Sequence, residues 1–150
     1  MAFKLSKRSW NRLSGVNPNL VGCVKYAIAV TKVDFGVTCG TRTMDEQRKL
    51  VKAGKSHTMK SKHLTGDAVD LVAYVRGSVA WEVNLYDEIA DAMQEAATMV
   101  GCSMRWGGAW HINDIRDFDG TMEEAMIEYI DLRRSQGRRP FIDGPHFELT

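Results

Sequence analysis

The chain has 150 residues, the size of one ordinary domain, and a chain of this length buries roughly 70% of its unfolded surface without disulfide support. Hydrophobic residues at 44% and charged residues at 26% exclude a disordered or low-complexity polymer. Twenty Lys and Arg against nineteen Asp and Glu leave a net charge of +1, which argues against a nucleic-acid binder built on phosphate neutralisation.

Lys4, Lys7, Arg8 and Arg12 open the chain with no apolar run behind them, so the expectation is a cytoplasmic product without an export signal. No stretch approaches the roughly eighteen apolar residues of a membrane span. Asn17 and Pro18 read as an N-cap and first helical residue, and Leu20, Val21, Val24, Ala27, Ile28 and Thr31 at helical spacing predict a helix over 18–33. A short strand through 36–39 follows. Thr43 and Glu46 form a capping-box pattern for a helix to about Ala53, where Gly54 stops it.

Residues 55–62 are polar and read as loop, whereas 68–75 is β-branched and reads as a buried strand containing one acid, Asp70. Tyr86, Ile89, Ala90, Met93, Ala97 and Val100 share a stripe that predicts the longest helix, 83–100, with methionines as core filler and Gly101 as its stop. A strand at 104–106, a turn at Gly107 and Gly108, and a second capping box at Thr121 and Glu124 opening a helix to Arg134 come next. Asp143, Gly144 and Pro145 then turn into a last strand. The pattern predicts an α+β fold: a single domain over 1–150, with a small antiparallel sheet covered by helices. Cys23, Cys39 and Cys102 form no CxxC pair and are expected to be free thiols.

Two segments carry chemistry. In Ser61–Asp70, His63 ends a polar loop, Gly66 turns the chain, and Asp70 lies in the following strand, offering one nitrogen and one oxygen ligand of kinds that suit zinc. An acid inside an apolar strand needs a cation beside it, which a divalent metal or a lysine supplies. In Asp143–Leu149, strand alternation points His146 and Glu148 to one face and Phe147 and Leu149 to the other. Two histidines and a carboxylate leave a fourth tetrahedral position for water, with Asp143 near enough in sequence to accept its proton. By spacing alone, His63 and His146 fit either ligands or hydrogen-bonded core histidines, and His57 and Glu148 are rival ligands. His111, between Trp110 and Ile112, reads as a packing residue.

These segments resemble a family of zinc peptidases that includes phage L-alanyl-D-glutamate endolysins, D-alanyl-D-alanine carboxypeptidases and dipeptidases, and the metal-binding domain of Hedgehog proteins. Its pattern S-x-H-x-x-G-x-A-x-D is met by Ser61, His63, Gly66, Ala68 and Asp70, and D-x-P-H-F-E is met by Asp143, Pro145, His146, Phe147 and Glu148. The G-x-R-T segment at Gly40–Thr43, with Gln47 and Leu50, is also similar. The resemblance implies a Hedgehog/DD-peptidase-like fold in which His63, Asp70 and His146 bind one Zn2+ and Asp143 is the general base. It further implies that Arg42 stabilises the oxyanion, Ser61 contacts substrate and Glu148 orients a ligand or a loop. The bland alternatives are surface pairing of Arg42 with Asp45 or Glu46, and turn capping by Ser61.

The resemblance also implies hydrolysis of the L-Ala-D-Glu bond of peptidoglycan by a monomeric endolysin without a separate wall-binding module. Such an enzyme stays in the host cytoplasm until a holin opens the way to the periplasm and wall. D-Ala-D-Ala carboxypeptidase activity and a non-catalytic zinc domain are the alternatives within the family, and a cysteine peptidase built on Cys39 is the alternative outside it. Ala109 departs from the family pattern W-G-G-D-W, standing where an acid is usual. The 111–140 segment is longer than the resemblance leads one to expect between these motifs, and its helix matches no named part of the family pattern. Asp114, Asp117 and Asp119 lack the spacing of an EF-hand and read as solvated acids.

Overall fold

The computed structural model describes residues 2–150. It begins with a helix absent from the sequence reading, α1 (Lys7–Arg12), capped by the Ser6 hydroxyl, which accepts from the Ser9 amide. Six residues carry too little periodicity to announce a helix; this one is held by what it touches. The predicted helix α2 (Pro18–Val30) ends before 33 because Thr31 turns extended and its hydroxyl bonds both backbone groups of Val33.

Strand β1 (Asp34–Cys39) leads into α3 (Met44–Lys52), where the Thr43–Glu46 capping box forms in full and Gly54 follows in the left-handed region at φ 75°. A single 3-10 turn, Lys62–Thr65, then precedes β2 (Ala68–Val75). Arg76 and Gly77, at φ 52° and 80°, make a two-residue hairpin into β3 (Ser78–Ala80). Helix α4 (Val83–Val100) and β4 (Met104–Trp106) come next. A second 3-10 turn at Ile115–Asp117, α5 (Met122–Ser135) with its own capping box, and β5 (His146–Leu149) complete the chain.

The sheet is antiparallel in the order β1-β2-β5-β4, with β3 continuing the β5 side of β2. This is the α+β architecture read from the sequence. On one face of the strands Val69, Leu71 and Phe147 enter a continuous core with Leu20, Val24, Ile89, Met93 and Trp106. Helices α2 and α4 pack together, and α5 packs on α4. Met93 is core as expected, but Met99 and Val100 are exposed, because the last turn of α4 runs beyond its apolar cover. At the open edge of β1, Ser9 Oγ accepts from the Val37 amide at 2.9 Å and Arg12 Nη1 donates to the Val37 carbonyl at 2.9 Å. Helix α1 thus occupies, at Val37, the pair of hydrogen-bonding groups that an edge strand otherwise leaves to a neighbour.

One buried acid works against stability. Asp87 on α4 is only 4% exposed. Burial, reinforced by the charges of Glu123, Glu88 and Asp91, pushes its pKa up to about 6. The native state therefore holds this proton to higher pH than the unfolded chain does, so the contribution is favourable below the ordinary carboxylate range and is lost as pH rises through about 6. Asp87→Asn is expected to stabilise the protein by on the order of 1–3 kcal/mol near pH 7.5 and by much less near pH 4.5. Thermal unfolding of both chains at the two pH values checks this; an equal difference at both overturns it.

Candidate active site

Asp70 lies near the start of β2 with Cys39 opposite it on β1 and His146 opposite it on β5. A register shift between Val37 and Cys39, two residues of β1 against one of β2, brings Cys39 and then Gly40 toward this point. His63 arrives from the 3-10 turn, in which its own amide donates to Ser61 Oγ and whose end needs Gly66 at φ 77°.

Asp70 Oδ1 stands between two imidazoles, 3.3 Å from His63 Nε2 and 3.1 Å from His146 Nδ1. The other nitrogen of each ring is taken up elsewhere: His63 Nδ1 donates to the Gly40 carbonyl at 2.7 Å, and His146 Nε2 lies 2.9 Å from Glu148 Oε1. Each ring therefore turns its remaining nitrogen to the same carboxylate oxygen, the orientation that outer partners impose on metal-binding histidines.

Electrostatics follow this packing. Burial opposes charge on His63, but Asp70 and the Cys39 sulfur outweigh it and push its pKa up to about 10. Burial likewise opposes charge on His146, and Asp70 and Glu148 push it up to about 9. For Asp70 burial favours the neutral acid, yet hydrogen bonds from His146 and His63 hold it well below the usual carboxylate range. Asp143 is raised, by burial first and then by the charge of Asp70. It makes a backbone clamp with Gly107: the Asp143 amide donates to the Gly107 carbonyl at 2.8 Å, while the Gly107 amide donates to the His146 carbonyl at 2.8 Å.

Arg42, Ser61, His63, Asp70, Asp143, His146 and Glu148 all line one cleft of about 640 Å³, a volume typical of small-ligand sites. Trp110 and Phe141 stack at 6.2 Å to form part of its wall, and Trp110 also stacks on His146 at 5.5 Å.

Across residues 1–150 the sequence matches the family model described as phage L-alanyl-D-glutamate peptidase. The chain belongs to the phage L-alanyl-D-glutamate peptidase family. Among curated family relatives, the L-alanyl-D-glutamate peptidase of Escherichia phage T5 is 30% identical over 137 residues, covering 87% of this chain and all of that protein. Among solved structures, the Serratia marcescens L-Ala D-Glu endopeptidase ChiX superposes with a TM-score of 0.72 at 36% identity, covering 98% of this chain and 90% of that one.

Not every residue weighed from the sequence sits where it was expected within this peptidase. Arg42 is not a surface partner of Asp45 or Glu46: Asp45 pairs with Arg48, Glu46 closes its capping box, and Arg42 turns inward to Gln47, Cys39 and Asp70. His57 lines the same cleft but is not among the residues whose donor atoms converge around His63 and Asp70. Glu148 meets His146 and lies 3.9 Å from both Lys62 and Arg105. Ala109 is fully buried, and the Asp114 carboxylate is occupied by Arg116.

Cys39, read from the sequence only as a rival nucleophile, belongs to the cluster: its sulfur and donor atoms of His63 and Asp70 lie within 4.8 Å of one another. The sulfur sits 3.6 Å from His63 Nδ1, the nitrogen already bonded to Gly40, and 3.3 Å from Arg42 Nη2. The register shift that puts it there has no mark in residue spacing.

At Gly107 an added methyl would lie 2.1 Å from the Asp143 carbonyl oxygen, so the clamp requires glycine. Gly107→Ala is expected to destabilise by about 1–3 kcal/mol. That lowers the melting temperature by several degrees in a thermal scan; an unchanged transition overturns this account of the clamp.

Proposed function

We propose that this chain is a zinc endopeptidase that cuts the L-Ala-D-Glu bond of peptidoglycan stem peptides, with His63, Asp70 and His146 as ligands. The observation that carries this reading is the pair of oriented imidazoles aimed at one oxygen of Asp70. Nitrogen and carboxylate donors are those of catalytic zinc sites with an open position. His146 is preferred to Cys39 as third ligand because it faces the cleft, whereas Cys39 abuts the nitrogen of His63 that serves Gly40.

Zinc, when bound, supplies Lewis acidity that acidifies water and polarises a carbonyl. Asp143, raised above an ordinary aspartate, takes the proton of the attacking water and returns it to the departing amine of D-Glu. The Arg42 guanidinium offers hydrogen bonds and charge to the carbonyl oxygen as it becomes an oxyanion. Glu148 fixes the His146 ring, and Ser61 holds the turn that presents His63 while facing substrate along the cleft. Among the described residues no helix is long and apolar enough to cross a membrane. The family resemblance extends the reading to a monomer that reaches the wall after a holin permeabilises the host membrane.

Mass spectrometry of digested murein peptides tests the bond: new D-Glu amine termini are expected, lost with chelator and restored by zinc. Release of D-Ala alone, or no new amine, overturns the reading. Asp143→Ala is expected to lose about 100-fold or more in kcat while retaining zinc. His63→Ala should lose both zinc and activity, and a His63→Ala chain that binds zinc normally contradicts the ligand set.

Because His63 and His146 hold protons up to about 10 and 9, ligation near pH 7 must displace them. Calorimetric titration of the metal-free chain in buffers of different ionisation enthalpy is expected to register release of roughly one to two protons per ion. A heat independent of buffer contradicts it.

A further inference from the structure

Gln47 lies on α3 outside the imidazole cluster, yet its side chain is 0% exposed. A buried primary amide is costly unless its donors and acceptor are paired, and here they are. Oε1 accepts from Arg42 Nη1 at 2.8 Å, while Nε2 donates to Ser56 Oγ at 2.9 Å and to the Thr58 carbonyl at 2.6 Å. Ser56 and Thr58 line the cleft beside Arg42. The other end of the guanidinium, Nη2, sits 3.3 Å from Cys39 Sγ and 3.9 Å from Asp70 Oδ2. Without the amide acceptor, the strongest remaining attraction on Arg42 is Asp70, the carboxylate both imidazoles use.

We infer that Gln47 is a positioning residue: it holds the Arg42 guanidinium away from Asp70 and toward the cleft, and joins it to the Ser56–Thr58 wall. This rests on the reading of Arg42 as the oxyanion partner. Only an amide offers an acceptor to Arg42 and two donors to the wall at once; glutamate keeps the acceptor alone, and leucine keeps neither.

The test uses the zinc-loaded full chain on murein stem peptides. Gln47→Leu is expected to lower kcat about 10–100-fold, the scale of a misplaced catalytic group, with zinc stoichiometry unchanged. Gln47→Glu, which restores the acceptor, should recover most of that loss. In an Arg42→Ala background Gln47→Leu should cost nothing further, since the two act through one guanidinium.

Wild-type kcat in Gln47→Leu, or the same fold-loss with and without Arg42, overturns the inference. Arg42→Ala with unchanged kcat instead removes the oxyanion reading on which it rests. A readout free of activity, and of the fate of the leucine variant, is the nitrogen NMR of Arg42 in the metal-free chain. Separate Nη signals are expected in wild type and Gln47→Glu, and averaged signals wherever the acceptor is gone. Averaged signals in wild type overturn the inference.

Discussion

Asp70 lies within β2, an inner strand paired on both sides, where an ionised carboxylate without compensation is strongly unfavourable. Three cationic side chains compensate that charge, against the like charge of the nearby Asp143. Its cross-strand neighbour supplies one imidazole, a 3-10 turn supplies another, and Arg42 approaches at 3.9 Å. A buried charge network of this kind is weak evidence for stability, and removal of any one partner leaves the others uncompensated.

The chain reaches this arrangement by holding its polar pieces with backbone acceptors and donors. Gly40 lends a carbonyl to His63, Gly107 clamps both Asp143 and His146, and Trp106 Nε1 donates to the Gly144 carbonyl at 2.7 Å. At Gly40 and Gly107 any side chain would strike backbone, of Arg12 and Asp143 respectively. The site is therefore a product of close main-chain approach as much as of its acids and histidines, and its parts come from rigid turns anchored to the sheet.

How much of this could be read beforehand depended on whether the cause was local. The capping boxes at Thr43 and Thr121, the stripe on α4 and the alternation of β5 are written in short windows, and all four formed, save that Val100 at the end of the stripe is exposed. The cleft residues were legible as motifs, since spacing and the family resemblance pointed to His63, Asp70, Asp143 and His146 together. Helix α1 was not legible, because its reason for existing is an amide and a carbonyl of Val37, twenty-five or more residues away. The Arg76 and Gly77 hairpin lacked the usual Asn-Gly mark, and Cys39 joined the cluster through a bulge. Gln47 was noted as a family position, but its three bonds depend on how the 54–58 turn folds back over α3.

The covering of β1 by α1 bears on behaviour at high concentration. A bare strand edge is a template on which a second molecule can extend the sheet, and the chain fills that place with its own serine and arginine. Helix α1 thus obstructs sheet extension at Val37, where a second strand would need the same amide and carbonyl.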